Sequence, residues 1–218
     1  MPIDLLRPAD SWLAVMDRPA AHPHTAATAS TLANSCLTRK TMTDTKLPPV
    51  TLVLGGARSG KSTYAEQLAE RHADDCVYLA TATAGDDEMT SRIAEHRLRR
   101  GPLWRTHEEP LDLSGALAAA AAPGAVILVD CLTLWLSNVL FKTLDPQNEQ
   151  QKLLETLPRL RGPVIFVSNE VGLGIVPDNA LARRFRDEAG RLNQAVAAAA
   201  QSVVFVAAGL PLVLKPGN

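Results

Sequence analysis

The chain has 218 residues, a formal net charge of −1 at pH 7 and three cysteines. This length fits one α/β domain with a full sheet between helix layers, and the balanced charge argues against a nucleic-acid partner, which would require a basic surface. Because no apolar run approaches the ~18 residues of a membrane-spanning helix and the cysteines lack metal-ligand or disulfide spacing, we expect a cytoplasmic protein of a reducing compartment.

The first 46 residues differ in composition from the rest of the chain. They mix alanine, threonine, serine, proline and isolated charges. Aspartates near the start argue against an acid-poor transit peptide, and the segment has no signal-type apolar core. Met42 precedes a short lead into the first predicted strand and could be the true start. We predict that residues 1–46 are a disordered or mis-assigned extension and that 47–218 form the functional domain.

A protein that begins at Met42 is expected to fold and react like the full chain. Residues 1–41 offer too little patterned apolar surface to dock on a domain. Thermal unfolding and activity of the two forms test this prediction. A loss of ~5 °C or more in melting temperature would correspond to roughly 1–2 kcal/mol of lost packing and would contradict it.

From Val50 onward, apolar runs of strand length alternate with helical patterns. The runs are nearly continuously apolar, as expected of parallel strands covered on both faces. The alternation predicts a doubly wound α/β fold, mostly parallel, with about seven strands, helices on both faces and sites at the carboxyl ends of the strands. The predicted strands are 50–55, 76–82, 103–106, 125–130, 163–168, 202–208 and an edge strand at 210–215, and the predicted helices are 61–72, 86–100, 110–122, 132–142, 149–160 and 179–200.

The most specific motif is Gly-Gly-Ala-Arg-Ser-Gly-Lys-Ser at 55–62. It follows a predicted strand and opens a predicted helix, which is the context that a G-x-x-x-x-G-K-S phosphate-binding loop (P-loop) requires. Backbone N–H groups and the helix N-terminus attract phosphate oxygens. Lys61 can reach the β- and γ-phosphates, and the Ser62 hydroxyl can ligate Mg²⁺. The predicted phosphate contacts are Gly55, Gly56, Ala57, Arg58, Ser59, Gly60, Lys61 and Ser62.

A second signal ends the apolar run at 125–130. In phosphate-loop proteins an acidic residue at a strand end holds Mg²⁺, directly or through water, and Asp130 has this position. A carboxylate at a strand end is common and alone indicates little. Together with the phosphate-binding motif at 55–62, Asp130 indicates a metal ligand. Ser62 and Asp130 are the predicted metal ligands.

The predicted helix at 86–100 begins with acidic residues and ends with basic ones, which complements the helix dipole. The dipole does not account for His96. Arg92 and Arg100 lie four residues before and after it, and they would keep the imidazole neutral and could hold a phosphate. The residues alone leave open whether His96 is structural or functional.

A third stretch, 167–177, passes from a predicted strand into a glycine-bearing loop before a long helix. Asn169 and Glu170 lie at the carboxyl edge of the sheet, where ligands usually bind. On the following helix, Arg186 and Asn193 are seven residues apart on one stripe, and we interpret them as candidates to line a substrate cleft.

Together these motifs resemble the bifunctional adenosylcobinamide kinase / adenosylcobinamide-phosphate guanylyltransferase family of cobalamin biosynthesis, a P-loop family with a RecA-like fold. The resemblance covers roughly 50–215 and implies that 47–218 form one P-loop kinase/nucleotidyltransferase domain. The stretches that carry it are 55–62, 87–97, 130–133, 169–177 and 181–194.

The resemblance implies two reactions. ATP or GTP first phosphorylates the aminopropanol hydroxyl of adenosylcobinamide. GTP then donates GMP to a histidine, which passes it to adenosylcobinamide phosphate and gives adenosylcobinamide-GDP. His96 has the position of that histidine, and Lys61 serves both reactions together with Mg²⁺. The implied partners are the corrinoid substrate and nucleoside triphosphates, with no nucleic acid. The resemblance also implies a homo-oligomer, specifically a trimer.

The same resemblance places the remaining GTP contacts after the second and third strands and on the histidine helix. Some members of the family have two adjacent histidines there, whereas Glu95 precedes His96 in this chain. Ala82 stands where a hydroxyl residue can occur, so it offers no side-chain hydrogen bond. The further implied contacts are Ala80, Thr81, Ala82, Arg97, Leu98, Arg99, Arg100, Glu108 and Asp130.

Two other functions remain compatible with the phosphate loop. One is a different small-molecule kinase in which His96 is structural, and a GMP adduct on the protein would exclude it. The other is a RecA-like regulatory or motor ATPase, which should hydrolyse ATP when a polymer or protein partner is added. The sequence does not decide between ATP and GTP in the kinase step, or whether both reactions share one pocket.

Overall fold

The computed structural model describes residues 46–82 and 101–217. The predicted helix at 86–100 and nearly all of the predicted extension at 1–46 lie outside these ranges. The described elements are β1 (Val50–Gly55), α1 (Lys61–Glu70), β2 (Asp75–Ala80), β3 (Trp104–Glu108), α2 (Leu113–Ala120), β4 (Ala125–Asp130), α3 (Leu132–Phe141), α4 (Pro146–Thr156), a 3-10 turn (Leu157–Arg159), β5 (Val164–Asn169), α5 (Ala180–Ala199), β6 (Ser202–Ala207) and β7 (Leu210–Lys215).

Seven strands form one sheet in the order β3-β2-β4-β5-β1-β6-β7. All neighbouring pairs are parallel except β6 and β7, which are antiparallel. The predicted mostly parallel α/β fold with an edge strand at 210–215 is therefore confirmed. β1 lies between β5 and β6, with Gly55 opposite both Asn169 and Val206, so the loop that follows it leaves the interior of the sheet.

Both faces of the sheet are covered, which explains why its strands are apolar at consecutive positions. On one face, Leu52 and Phe166 pack with residues of α2, α3, α4 and α5. On the other face, Val53 and Leu128 pack with Ala65 of α1. Each fully buried aliphatic or aromatic side chain contributes about 1.5–3 kcal/mol, and this burial fixes the strands whose ends build the site.

Two helices begin at other residues than predicted, and their caps explain both differences. The helix predicted at 149–160 begins earlier, at Pro146, because Asp145 caps it by accepting a hydrogen bond from the Gln147 N–H and proline fits the first turn. The helix predicted at 110–122 begins at Leu113 because Asp112 caps it. The strand predicted at 76–82 ends at Ala80.

Candidate phosphate-binding site

The turn between β1 and α1 is built by its glycines. A Cβ atom on Gly55 would lie 2.5 Å from both the Ser59 Oγ and the Val206 carbonyl oxygen, so a larger residue does not fit there. Gly60 has a φ of 93° and precedes α1 directly, in a backbone region that glycine adopts readily. The Gly209 N–H donates to the Ser59 carbonyl oxygen over 2.8 Å, so the loop rests on the β6–β7 turn.

The start of α1 is open to an anion. Within the described part of the chain no side chain caps this helix, and the first N–H groups of any helix lack intrahelical partners. The helix is 10 residues long, so its partial positive charge points at the turn that the glycines form. This arrangement matches the backbone cradle that the motif predicts.

Lys61 lies over the loop with its ammonium group held in place. Only 8% of the residue is exposed, and its Nζ donates to the Gly56 carbonyl oxygen over 3.1 Å. The Ser59 Oγ is buried and has no hydrogen-bond partner among the described residues. A buried hydroxyl without a partner costs about 1–3 kcal/mol, and a phosphate oxygen bound in the loop would satisfy it.

Asp130 ends β4, two strands away from β1. Its Oδ2 accepts a hydrogen bond of 3.1 Å from the Tyr78 hydroxyl. Thr81 is fully buried, and its Oγ1 donates to the Cys131 carbonyl oxygen over 2.8 Å and accepts from the Cys131 N–H over 2.9 Å. The hydroxyl of Thr81 therefore joins the ends of β2 and β4, and Tyr78 orients the carboxylate between them.

Both cysteines in the described part of the chain are buried thiols, as their apolar surroundings in the sequence predict. Cys131 follows Asp130 at the carboxyl edge, whereas Cys76 lies at the start of β2. Burial raises the pKa of Cys131 to about 11, with a further contribution from Asp130. Burial likewise raises the pKa of Cys76 to about 11. Both groups therefore stay protonated and neutral at pH 7, and neither is a thiolate nucleophile.

In residues 46–82 and 101–217 no group of three or more histidine, cysteine or acidic side chains is placed to hold a metal.

A buried polar cluster supports the end of β5 beside the loop. The Ser168 Oγ donates to the Asn193 Oδ1 over 2.7 Å, and the Asn193 Nδ2 donates to the Asn169 carbonyl oxygen over 3.2 Å. The Asn169 N–H donates to the Thr133 Oγ1 over 2.7 Å. The interpretation of Asn193 as a cleft residue is therefore wrong: only 8% of it is exposed, and it holds β5 from within. Its proposed companion, Arg186, forms an ion pair with Asp187.

Asn193→Leu is expected to lower the melting temperature by roughly 2–12 °C. The change leaves the Ser168 hydroxyl and the Asn169 carbonyl without their partner, at a cost of about 1–3 kcal/mol, and each kcal/mol shifts a domain of this size by roughly 2–4 °C. Thermal unfolding measures the effect. Gln194→Leu is the matched control because Gln194 is the exposed neighbour on the same helix; equal melting temperatures for the two variants would contradict the role of the cluster.

The geometry accords with the comparison of the chain with known families. A family model described as cobinamide kinase / cobinamide phosphate guanyltransferase matches residues 51–214, which include the loop, Asp130 and the end of β5. The chain belongs to this family. The recognition made from the motifs at 55–62, 130–133 and 169–177 is thereby confirmed.

Two relatives within this family are close in sequence. The chain is 55% identical over 167 residues to the bifunctional adenosylcobalamin biosynthesis protein CobP of Pseudomonas aeruginosa, covering 75% of this chain and 96% of the relative. It is 42% identical over 179 residues to the bifunctional protein CobU of Salmonella typhimurium, covering 75% of this chain and 98% of that protein. Both relatives are therefore matched over almost their whole length.

A solved structure supports the fold. The ATPase EscN of the enteropathogenic E. coli type III secretion system superimposes with a TM-score of 0.51 at 11% identity, over 74% of this chain and 43% of that one. This likeness concerns the fold alone and agrees with the predicted P-loop, RecA-like class. None of the helices in the described ranges combines the length and hydrophobicity needed to cross a bilayer.

The structure brings most of the predicted GTP contacts that it describes to one edge. Ala80 lies opposite Glu108 on β3 and opposite Asp130 on β4, and Thr81 and Ala82 follow directly. These residues share the carboxyl edge with the phosphate loop because the strands are parallel. The predicted nucleophile and its neighbours lie outside the described residues; they are His96, Arg97, Leu98, Arg99 and Arg100.

Two supporting residues have no local signal in the sequence. Tyr78 reaches Asp130 across 52 positions of the chain, and Gly209 supports Ser59 from the β6–β7 turn. The one available hint for Tyr78 is a hydroxyl-bearing ring in an otherwise apolar strand, two residues before its carboxyl end.

Proposed function

We propose that this protein phosphorylates the aminopropanol hydroxyl of adenosylcobinamide with ATP or GTP and then transfers GMP from GTP, through His96, to give adenosylcobinamide-GDP. The single observation that carries the proposal is the phosphate loop with Lys61 folded onto the Gly56 carbonyl, in a chain of the cobinamide kinase / cobinamide phosphate guanyltransferase family.

The loop binds the triphosphate of the nucleotide. Its N–H groups and the start of α1 surround the phosphate oxygens, and the Ser59 hydroxyl, which is buried without a partner among the described residues, donates to one of them. Lys61 exchanges or shares its bond to Gly56 with the β- and γ-phosphates, where its charge offsets the negative charge that develops during transfer.

Ser62 and Asp130 fit Mg²⁺ by their chemistry. Both present oxygen atoms, both are half-buried, and Mg²⁺ typically takes one or two protein oxygens together with substrate phosphates and water. Bound at these residues, Mg²⁺ would offset the negative charge of the nucleotide phosphates. The Tyr78 hydroxyl keeps the Asp130 carboxylate in one orientation.

In the kinase step, the corrinoid hydroxyl oxygen attacks the γ-phosphorus of the nucleotide. A new P–O bond forms, the bond from the γ-phosphorus to the bridging oxygen breaks, the diphosphate leaves, and the hydroxyl proton passes to solvent. The chain needs mainly to align the two reactants and stabilise charge, because such transfers involve little covalent chemistry by the protein.

In the transfer step, an imidazole nitrogen of His96 attacks the α-phosphorus of GTP and displaces pyrophosphate. An oxygen of adenosylcobinamide phosphate then attacks the same phosphorus, the P–N bond breaks, and the imidazole is restored. This path splits one displacement into two. Arg97, Arg99 and Arg100 follow His96 in the sequence and are proposed to spread the charge on the α-phosphate.

Tyr78→Phe is expected to raise the Mg²⁺ concentration for half-maximal phosphorylation roughly ten- to hundredfold, since hydrogen bonds to charged groups contribute about 1.5–3 kcal/mol and each 1.4 kcal/mol corresponds to about a tenfold change. The measurement is the rate as a function of Mg²⁺ at saturating nucleotide. Excess Mg²⁺ should restore the rate, which it would not do for a merely unfolded variant. An unchanged Mg²⁺ dependence would show that Tyr78 does not orient the metal ligand.

The proposed function is tested by supplying the protein with adenosylcobinamide, Mg²⁺ and either nucleotide and separating the corrinoid products. We expect the phosphorylated corrinoid with ATP or GTP and the GDP-linked corrinoid with GTP alone. Phosphorylation without any GDP-linked product would leave the other small-molecule kinase as the function. Failure of both reactions would refute the proposal, and ATP hydrolysis stimulated by a polymer or protein partner would favour the motor alternative.

A homo-oligomer is also part of the proposal, a trimer as in the family resemblance. The edge strand β7 supports it, because its apolar side chains are exposed on both faces: Leu212 is 61% exposed, and Val213, which follows it on the opposite face, is 57% exposed. An exposed apolar edge strand normally pairs or packs with another chain.

A cytoplasmic location remains a prediction, and the free thiols of Cys76 and Cys131 accord with it.

A further inference from the structure

The loop after β5 begins at the phosphate site. Asn169, the last residue of β5, lies opposite Gly55, and the Glu170 N–H donates to the Gly55 carbonyl oxygen over 3.1 Å. Glu170, the first residue of the loop, is therefore hydrogen-bonded to Gly55, the first residue of the phosphate-binding motif. A ligand at the start of this loop would therefore lie beside the reacting phosphates.

The same loop carries aliphatic side chains into solvent. Leu173 is 82% exposed, Ile175 is 97% exposed and Val176 is 59% exposed. We name these three residues the apolar tip. Exposed apolar side chains that cluster beside a site mark a binding surface more often than isolated ones do. The root of the loop is polar, with Asn169 and Glu170, and its tip is apolar.

Hydrogen bonds fix the loop at both ends. At its start, the Glu170 carboxylate accepts from the Gly172 N–H. At its end, the Arg183 guanidinium donates to the carbonyl oxygens of Pro177 and Asp178 over 2.9 and 2.6 Å. Anchored ends limit the conformational entropy that the loop loses when a ligand covers it.

We propose that the apolar tip binds the corrin macrocycle of the substrate. This inference rests on the proposed function and adds the residues that recognise the corrinoid. Adenosylcobinamide joins a large ring, which carries methyl groups between its amide side chains, to a short polar arm that ends in the reacting hydroxyl. The loop has the same order of chemistry: its polar root touches the phosphate turn, and its apolar tip lies a few residues further on.

The distances along the chain fit such an occupant. Ile175 is five residues beyond Glu170, so their Cα atoms are at most about 17 Å apart. A ring on the tip can therefore direct its arm to the phosphates. A second copy of the chain is the competing occupant, and the oligomeric mass of the variants distinguishes it from the corrinoid.

The test compares the double variant Leu173→Ser/Ile175→Ser with Phe141→Ser. Phe141 is a matched control because it is an apolar residue that is 78% exposed and lies away from the site. It ends α3, which starts at the carboxyl edge and has 10 residues, so Phe141 lies about 15 Å along the helix toward the opposite edge. Three quantities are measured for each variant and for the unmodified protein: KM and kcat of phosphorylation with varied adenosylcobinamide, GMP adduct formation from GTP without corrinoid, and the oligomeric mass.

We expect KM for adenosylcobinamide to rise about tenfold or more in the double variant, while kcat at saturation, the adduct, the melting temperature and the mass stay unchanged. Phe141→Ser should match the unmodified protein in every measurement. The inference would be overturned if KM of the double variant stayed within twofold of normal or if KM of Phe141→Ser rose equally. It would also be overturned if the oligomeric mass of the double variant changed, because the loop would then belong to a subunit interface. If the unmodified protein forms neither product nor adduct, the proposed function itself fails. That result is distinct from failure of this inference, which appears only in the comparison of the variants with an active unmodified protein.

Discussion

Lys61→Ala is expected to abolish both phosphorylation and guanylyl transfer. Both reactions need a triphosphate held in the same loop, and in each the lysine offsets negative charge that increases toward the transition state. Loss of one preorganised donor of this kind slows a reaction by about 10²–10³, and loss of phosphate binding adds to that. The two reactions are measured separately, by corrinoid phosphate and by GDP-linked corrinoid.

The matched control is Lys142→Ala, which removes an exposed lysine at the end of α3, away from the carboxyl edge. It should retain both activities. Because Lys61 is buried, thermal unfolding of Lys61→Ala must accompany the assay to exclude loss of fold. Full retention of either reaction by a folded Lys61→Ala protein would show that this reaction uses another site.

His96→Ala is expected to eliminate guanylyl transfer and leave phosphorylation substantially intact. The imidazole is the proposed acceptor of GMP, so without it no covalent intermediate forms. The kinase step relies on Lys61, Ser62 and Asp130, which remain. The measurement is again the two products, now with the corrinoid phosphate supplied directly for the second reaction.

His107→Ala is the control for this assignment. His107 is an exposed residue of β3, one position before Glu108 and at the same carboxyl edge. It is therefore the histidine among the described residues that has a plausible position. We expect it to retain both reactions. If His107→Ala rather than His96→Ala eliminates transfer, the nucleophile is misassigned while the function stands.

The interior of the fold could be predicted because its strands are buried on both faces. The run at 125–130 is apolar at each position before its final aspartate, and the structure has β4 with the same bounds. β3 was harder to delimit: the prediction gave 103–106, whereas the strand is Trp104–Glu108 and mostly exposed. An edge strand has little apolar patterning, so its length depends on pairing with β2 rather than on its own residues.

The candidate site could be predicted in part, and the reason is locality. The loop at 55–62 is one contiguous segment whose glycines and lysine act on the same ligand. The Tyr78 contact to Asp130 and the Ser168 contact to Asn193 join distant positions. The first depends on the register of β2 and β4, and the second on the packing of α5 against β5. Asn193 shows the consequence: a helix stripe indicated which residues share a face but not whether that face is buried.

The central claim is that guanylyl transfer passes through a covalent adduct on His96, and incubation with α-labelled GTP and Mg²⁺ tests it most directly. The label should stay on the denatured protein, disappear in mild acid because protonation makes imidazole a good leaving group, survive in base, and pass to adenosylcobinamide phosphate when that substrate is added to the native protein. A label that resists acid would indicate a phosphate ester on a hydroxyl such as Ser59, and the absence of any protein-bound label while the GDP-linked corrinoid still forms would contradict the covalent mechanism.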